Sequence, residues 1–215
     1  SVGDEATSSS SRPSRSEAEE AGKAAGDAEK GTKGRVSIVT PTTESRQRFH
    51  ETVLACFEAQ TWPDKELVVV ETYFDKHSDF FERAAKRDPR VTYVKFKVEP
   101  GHDWSIGLKR NLGTHLATGE FIAHFDDDDL YSPRYLTTMV SQLKEQRAQA
   151  ITLSSWFIFD VKTERFGFCD AIAFGWMKGR GADHPDVKSW AYGYGFSYVY
   201  RRQVALDVPY DSIDL

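Results

Sequence analysis

Four consecutive aspartates, Asp126 to Asp129, follow directly on a short apolar run, Phe121-Ile-Ala-His-Phe125. Adjacent carboxylates repel one another, and gathering them in a folded site costs stability unless something positive is held there. A hard divalent cation suits that role, because Mg2+ and Mn2+ prefer carboxylate oxygens. The competing reading is a solvated acidic turn, a common surface feature. What decides between them is what else the chain brings to the same place.

The elements that must position the aspartates are readable from Arg35 onward. Val36-Ser-Ile-Val39 is a short strand, stopped by Thr40-Pro41. An amphipathic helix follows, with Phe49, Val53, Leu54 and Phe57 on one face. Trp62-Pro63-Asp64 turns the chain into Leu67-Val-Val-Val70, an unbroken apolar run expected of a strand buried on both faces. Ser78 caps a helix carrying Phe81, Ala84 and Ala85, and Val91 to Val98 reads as the next strand. Leu108, Leu112 and Leu116 line a further helix that Gly119 ends, and the strand Phe121 to Phe125 leads into the aspartates. Ser132-Pro133 marks a helix start, with Tyr135, Leu136, Met139, Val140 and Leu143 as its buried face.

Strand and helix alternate, which implies an α/β domain with a largely parallel sheet flanked by helices. Ligands of such sheets bind beyond the carboxyl ends of the strands. Three of those ends carry polar residues: Thr40-Pro41-Thr42-Thr43-Glu44, Glu71-Thr72, and Asp126 to Asp129. Brought together, they make an acidic mouth on an apolar scaffold. That favours a metal-nucleotide site over a solvated turn.

Composition bounds the rest. The chain has 215 residues and a net charge of -5, so it has no basic footprint for general nucleic-acid binding. Cys56 and Cys169 lack metal-ligand spacing and fit buried thiols better than a disulfide framework. No apolar run approaches the ~20 residues of a membrane helix. A soluble domain, cytoplasmic by default, is the expectation. Ser1 to about Gly34 is rich in Ser, Glu, Ala, Gly and Lys, with Val2 its only large apolar residue. Such a segment cannot offset its ordering entropy, so it is expected to be a disordered tail or linker ahead of a domain at 35–215.

With these residues in place, the chain from Arg35 to Leu215 resembles the family-2 type glycosyltransferases of GT-A fold. "VSIVTPTTESR" resembles the family's first strand and Pro-Thr turn, and "FEAQTWPDKELVVVET" its helix end, aromatic-Pro turn and second strand. "GLKRNLGTHLATGEFIAHFDDDDLYSP" combines Arg-Asn-x-Gly, Ala-x-Gly-Glu, an apolar strand and the Asp-x-Asp (DXD) element. Four such pieces in order are specific. The resemblance implies transfer of a sugar from a nucleoside diphosphate to a hydroxyl, with Mn2+ or Mg2+ stabilising the leaving diphosphate. It implies Asp126 and Asp128 as metal ligands, Asp126 and Asp127 as residues reaching the donor, and Asp129 as their support. Alternation along a strand would put Asp126 and Asp128 on one side. Thr42 and Glu71 match positions that hold base and ribose, and Arg110 matches an arginine near the nucleotide. The chain departs from the family at Glu71-Thr72, where an Asp-Asp pair is usual, and at Thr43-Glu44, where Tyr-Asn is common.

The C-terminal half is expected to serve the acceptor, a glycan, lipid or protein. It is rich in aromatics (Trp156, Trp176, Trp190, Tyr192, Tyr194) and in glycines (Gly175, Gly179, Gly181, Gly193, Gly195). Core and loop packing is the competing use of these aromatics. His124 reads as a packed histidine and His184 as a loop residue. The catalytic base of an inverting transferase is expected just beyond Leu215, after "VPYDSIDL", with Asp211 and Asp214 the available carboxylates. The runner-up reading is a non-catalytic nucleotide- or glycan-binding module on the same scaffold.

Overall fold

A computed structural model describes residues 31–211 apart from 178, 182, 183, 193 and 194. The expected tail, except its last four residues, lies outside the described residues, as do the side chains of Trp176, Trp190, Tyr192 and Tyr194 and all of Asp183 and Asp214. A six-stranded sheet runs in the order β3-β2-β1-β4-β8-β5. Its parallel part consists of β1 (Thr32–Thr43), β2 (Lys65–Tyr73), β3 (Val91–Lys97) and β4 (Gly119–His124). Short β8 (Val199–Arg201) pairs antiparallel with β4 and with β5 (Ala150–Ile151). The helices between the strands are α1 (His50–Ala59), α2 (Asp79–Arg87), α3 (Ile106–Leu116) and α4 (Tyr135–Glu145). Beyond them lie the hairpin β6 (Ser155–Asp160) and β7 (Arg165–Asp170), then α5 (Ala171–Met177), α6 (Pro185–Tyr192) and, after β8, α7 (Arg202–Asp207).

The central strands are apolar on both faces because both faces are covered. Val36, Ile38, Leu67, Val69, Phe121 and Ala123 point into the larger core with Val53, Phe57 and Phe81 of α1 and α2 and with Leu136, Val140 and Leu143 of α4. Val39, Val68 and Ile122 point the other way, into a smaller core under α3 and α7. Ser78 caps α2 as expected, its hydroxyl accepting from the Phe81 amide at 3.2 Å. Both cysteines are free, Cys56 buried and Cys169 half-buried.

Several local expectations are corrected. β1 already begins at Thr32, three residues ahead of Arg35. The Thr32 amide donates to the Thr118 carbonyl at 2.7 Å, and the Gly34 amide donates to Glu120 Oε2 at 2.9 Å. β1 also does not stop at Thr40-Pro41. It stays paired with β2 as far as Thr43 and Thr72, whereas its register with β4 ends at Val39 and His124. Pro41 therefore sits where β1 has no neighbour on one side, and its missing N–H breaks no ladder. α4 starts at Tyr135 rather than at Ser132-Pro133, because Ser132 uses its carbonyl to close a turn with the Tyr135 amide at 2.9 Å. Gly119 does not end α3 but opens β4, and a Cβ there would strike the Arg35 carbonyl and the Ser37 hydroxyl.

The largest correction concerns α3. Its buried face is Gly107, Lys109, Arg110, Gly113 and Thr114, and Leu116 is exposed. Close approach rather than a leucine stripe sets this face. A Cβ on Gly113 would come closer than 3.0 Å to Val39 Cγ1, and one on Gly107 would meet the Asp211 carbonyl. The helix backbone thus lies directly on β1, with its two basic residues turned toward the strand ends.

Candidate functional site

Beyond Val39 and His124 the strands β1 and β4 part, and the crevice between them becomes a cavity of about 320 Å3. The end of β1 supplies Pro41, Thr42 and Thr43, and the turn after it supplies Arg46. The loop before α3 and its first turns supply Asp103, Trp104, Ile106 and Lys109. The loop after β4 supplies Asp126, Asp127 and Asp128. This is the carboxyl edge of the parallel strands, where such folds bind ligands.

The aspartates lie in a turn, since β4 ends at His124. The expected alternation of a continuing strand therefore does not apply, yet Asp126, Asp127 and Asp128 all reach the cavity. Their environments differ sharply. Asp127 has a side chain only 2% exposed, and it accepts from Thr42 Oγ1 at 2.6 Å and from Arg46 Nε at 2.7 Å. Asp128 is 47% exposed and pairs with Arg46 Nη2 at 2.7 Å. Asp126 pairs with Arg110 Nη2 at 2.8 Å. Asp129 has no ionic partner among the described residues, and burial together with Asp126 and Asp128 pushes its carboxyl up to about 6.

The cation that four adjacent carboxylates call for is thus met in part by two guanidiniums. In and beside the aspartate loop, Arg46, Lys109 and Arg110 face Asp103, Asp126, Asp127, Asp128 and Asp129, leaving two negative charges in excess. The arginines draw Asp126 one way and Asp127 and Asp128 another. Among the described residues, the acidic group whose ligand atoms do gather is His77, Asp79 and Glu82, none of which lines this cavity. It is already neutralised by Lys76 on Asp79 and by Lys86 and Lys95 on Glu82.

A buried relay stands behind Asp127. An ionised carboxylate only accepts, so Thr42 donates to Asp127 and must accept from His50 Nε2, 3.1 Å away. His50 Nδ1 lies 2.8 Å from the Ser78 hydroxyl. Burial lowers the imidazole's pKa and so favours the neutral ring, whose Nδ1 accepts from the Ser78 hydroxyl. Glu71 lies further back, fully buried, and does not line the cavity. It accepts from Gln47 Nε2 at 2.7 Å, from the Ser78 amide at 2.9 Å and from the Tyr93 hydroxyl. Glu44 accepts from the amides of Phe74, Asp75 and Lys76, which hold its carboxyl below the usual range, Asp75 most.

Sequence reasoning missed Lys109, Asp103 and Arg46. Lys109 is nearly buried, and its ammonium donates to the Thr42 carbonyl at 3.0 Å and pairs with Asp103 at 2.9 Å. Burial lowers its pKa, opposed by Asp103. Asp103 also accepts from Thr72 Oγ1, so the residue expected to depart from the family is tied into the cavity wall. The readable signal for Lys109 was its place beside Arg110 in a helix carrying Gly107 and Gly113.

The other side of the aspartate loop is fixed by aromatics. Tyr131 stacks on Phe125 with centroids 3.7 Å apart, accepts from the Asp126 amide at 3.0 Å and donates to the Phe196 carbonyl at 2.8 Å. Trp156 packs edge-on against Phe196 at 5.4 Å. His124 is buried, with Nε2 2.5 Å from the Tyr200 hydroxyl and Nδ1 without a hydrogen-bond partner in the described structure. His184 is a loop residue that accepts from the Asp186 amide. None of the described helices is long and apolar enough to cross a membrane.

Comparisons with known proteins agree with this architecture. Glucosyl-dolichyl phosphate glucuronosyltransferase of Haloferax volcanii is 26% identical over 183 residues, covering 82% of this chain and 55% of the relative. Putative glycosyltransferase EpsH of Bacillus subtilis is 34% identical over 95 residues, 44% of this chain and 26% of EpsH. The chain therefore spans about a quarter to about half the length of these curated relatives. S. aureus TarS 1-349 superposes with a TM-score of 0.57 at 17% identity, over 80% of this chain and 48% of that one. Mannosyltransferase PcManGT of Pyrobaculum calidifontis, solved with GDP-Man and Mn2+, gives a TM-score of 0.51 at 17% identity, over 83% and 48%. At these identities the likeness is one of fold, and the fold is GT-A. The family model for glycosyl transferase family 2 matches residues 37–205, most of the domain just described, and the chain belongs to that family.

Proposed function

We propose that the chain forms the donor-binding part of a metal-dependent glycosyltransferase. It would move a sugar from a nucleoside diphosphate to an acceptor hydroxyl with inversion. The carrying observation is the convergence of the ends of β1 and β4 and the start of α3 on one cavity, beside an aspartate loop that with its basic neighbours keeps two negative charges in excess. That excess matches one divalent cation.

Asp126 and Asp128 would hold Mn2+ or Mg2+. Their carboxylate oxygens suit hard ions, and Asp129, half-buried without an ionic partner among the described residues, fits a site that receives one. Bound there, the ion would supply Lewis-acid stabilisation of the departing diphosphate. The donor class is supported by the ligands of the fold neighbours, UDP-GlcNAc in TarS and GDP-Man in PcManGT.

The remaining roles follow from position. Lys109 presents a nearly buried ammonium to the cavity, where little solvent screens it from a phosphate. Thr42, held by Asp127 and His50, would line the ribose. Arg110 orients Asp126. Glu71 acts behind the wall, fixing Gln47 and the start of α2, rather than touching the donor itself.

Calorimetric titration of UDP and GDP, with and without Mn2+, tests the reading on the wild-type chain and on Asp128→Ala. Metal-dependent nucleotide binding that the variant loses is expected. Metal-dependent binding of equal affinity in the variant would remove Asp128 from the site, and metal-independent binding in both would refute the reading.

A further inference from the structure

We infer that Arg46 and the divalent ion compete for Asp128, and that Arg46, kept on Asp127, then offers its spare donors to the donor diphosphate; this rests on the metal-dependent reading above. Arg46 makes two unequal attachments. Its hold on Asp127 is deep: Nε at 2.7 Å and Nη2 at 2.5 Å both reach Oδ1, and Asp127 is almost fully buried and fixed from behind by Thr42. Its Nη2 contact with Asp128 at 2.7 Å is shallow, because that carboxylate is half-exposed on the cavity. The guanidinium stays charged, its pKa raised first by the hydrogen bond to Asp127. It also lies 5.3 Å from the Phe49 ring, which backs it.

A divalent ion on Asp128 would sit beside the Arg46 charge, and like charges so close oppose each other. The conflict resolves in one of two ways. Either the ion is weakly held, or Nη2 leaves Asp128 while Nε and Nη2 keep their hold on Asp127. Arg46 lines the same cavity, and its Nη1 is used by neither aspartate. The forked group has donors to spare for a phosphate oxygen. A diphosphate placed between the ion and Arg46 converts repulsion into two attractions. Metal and nucleotide would then bind cooperatively, each raising the affinity for the other by the same factor.

Arg46→Gln tests this with Mn2+ alone, followed by paramagnetic resonance, and then with UDP and GDP added. Removing the competitor should tighten Mn2+ binding about 5- to 30-fold, from the worth of a half-exposed ion pair plus relieved repulsion. The factor by which UDP or GDP improves Mn2+ affinity should fall about 5-fold or more. Damage to the fold would weaken Mn2+ binding, the opposite sign. Arg46→Lys keeps the charge but loses the fork, and should lie between wild type and Arg46→Gln, so it carries the test if the glutamine variant does not fold. Equal or weaker Mn2+ binding in the folded variants, with wild-type binding intact, overturns the competition and leaves the metal site standing. Failure of the wild type to bind Mn2+ saturably overturns the metal reading itself.

Discussion

Gly113 is the residue on which the placement of Lys109 and Arg110 turns, and Gly113→Ala tests that. A methyl group there would come closer than 3.0 Å to Val39 Cγ1, with Val39 Cβ and Cγ2 at 3.5 Å. Carbon atoms prefer ~3.5–4.0 Å, so either α3 lifts or Val39 leaves its rotamer. Val39 is fully buried, so neither is free. Overpacking of this kind costs ~1–3 kcal/mol, against ~1 kcal/mol gained from the better helix propensity of alanine. A net loss of about 0–2 kcal/mol is expected. Val39→Ala alone should cost ~1–3 kcal/mol by emptying the same space from the other side. Combined, the alanine methyl fills the gap and the clash is gone, so the double variant should be ~1.5–3 kcal/mol more stable than the sum of the single effects. Urea unfolding of the four proteins measures this. Stabilisation by Gly113→Ala, or additivity within ~0.5 kcal/mol, would refute the claim that contact with Val39 sets the position of α3.

Lys109→Met should weaken binding of UDP or GDP in the presence of Mn2+ by ~10- to 100-fold, since it removes the buried ammonium and strips Asp103 of its ion pair; calorimetry reads it, and unchanged affinity would take Lys109 out of the site. His50 has a pKa below 6.5 in the fold, so the unfolded chain binds a proton first as pH falls. Its contribution is therefore whole above ~6.5 and is lost below it, at up to ~1.4 kcal/mol per pH unit until the folded form also titrates. Urea unfolding at pH 7.5, 6.5 and 5.5 should show a shallower acid loss for His50→Gln than for wild type, and parallel slopes would contradict the neutral relay. Tyr93→Phe removes one donor from buried Glu71 and should cost ~1–3 kcal/mol, measured the same way, with no effect expected if Gln47 and Ser78 alone suffice.

The strands and their ends were legible because burial on both faces leaves an unbroken apolar run, as in Leu67 to Val70, and because four carboxylates in a row are conspicuous. The helix over the strand ends was not. Leu108, Leu112 and Leu116 form a convincing stripe, but Gly113 lets the opposite side approach β1, and Gly107 lets it approach residues 210 and 211, more closely than any leucine could. Hydrophobic periodicity cannot see a face chosen by the absence of side chains. Arg46 escaped for a different reason. It sits in a single 3-10 turn, Glu44–Phe49, with no periodicity to announce a direction, and its partners lie more than eighty positions away. Asp127 and Asp128 were legible as carboxylates but not as unequal ones, because what separates them is the depth at which the turn leaves each.

One atom ties the aspartate turn to the segment before β8. The Tyr131 hydroxyl receives the Asp126 amide and passes its own hydrogen to the Phe196 carbonyl, while its ring is clamped flat on Phe125. The segment before β8 and the aspartate turn are therefore linked like two pages on one staple. A molecule pressing on residues 195–197 would be felt at Asp126 one bond later, without any signal crossing the sheet. A phenylalanine there would keep the packing on Phe125 while cutting both hydrogen bonds, so the aspartate turn and residues 195–197 would lose the side chain that ties them.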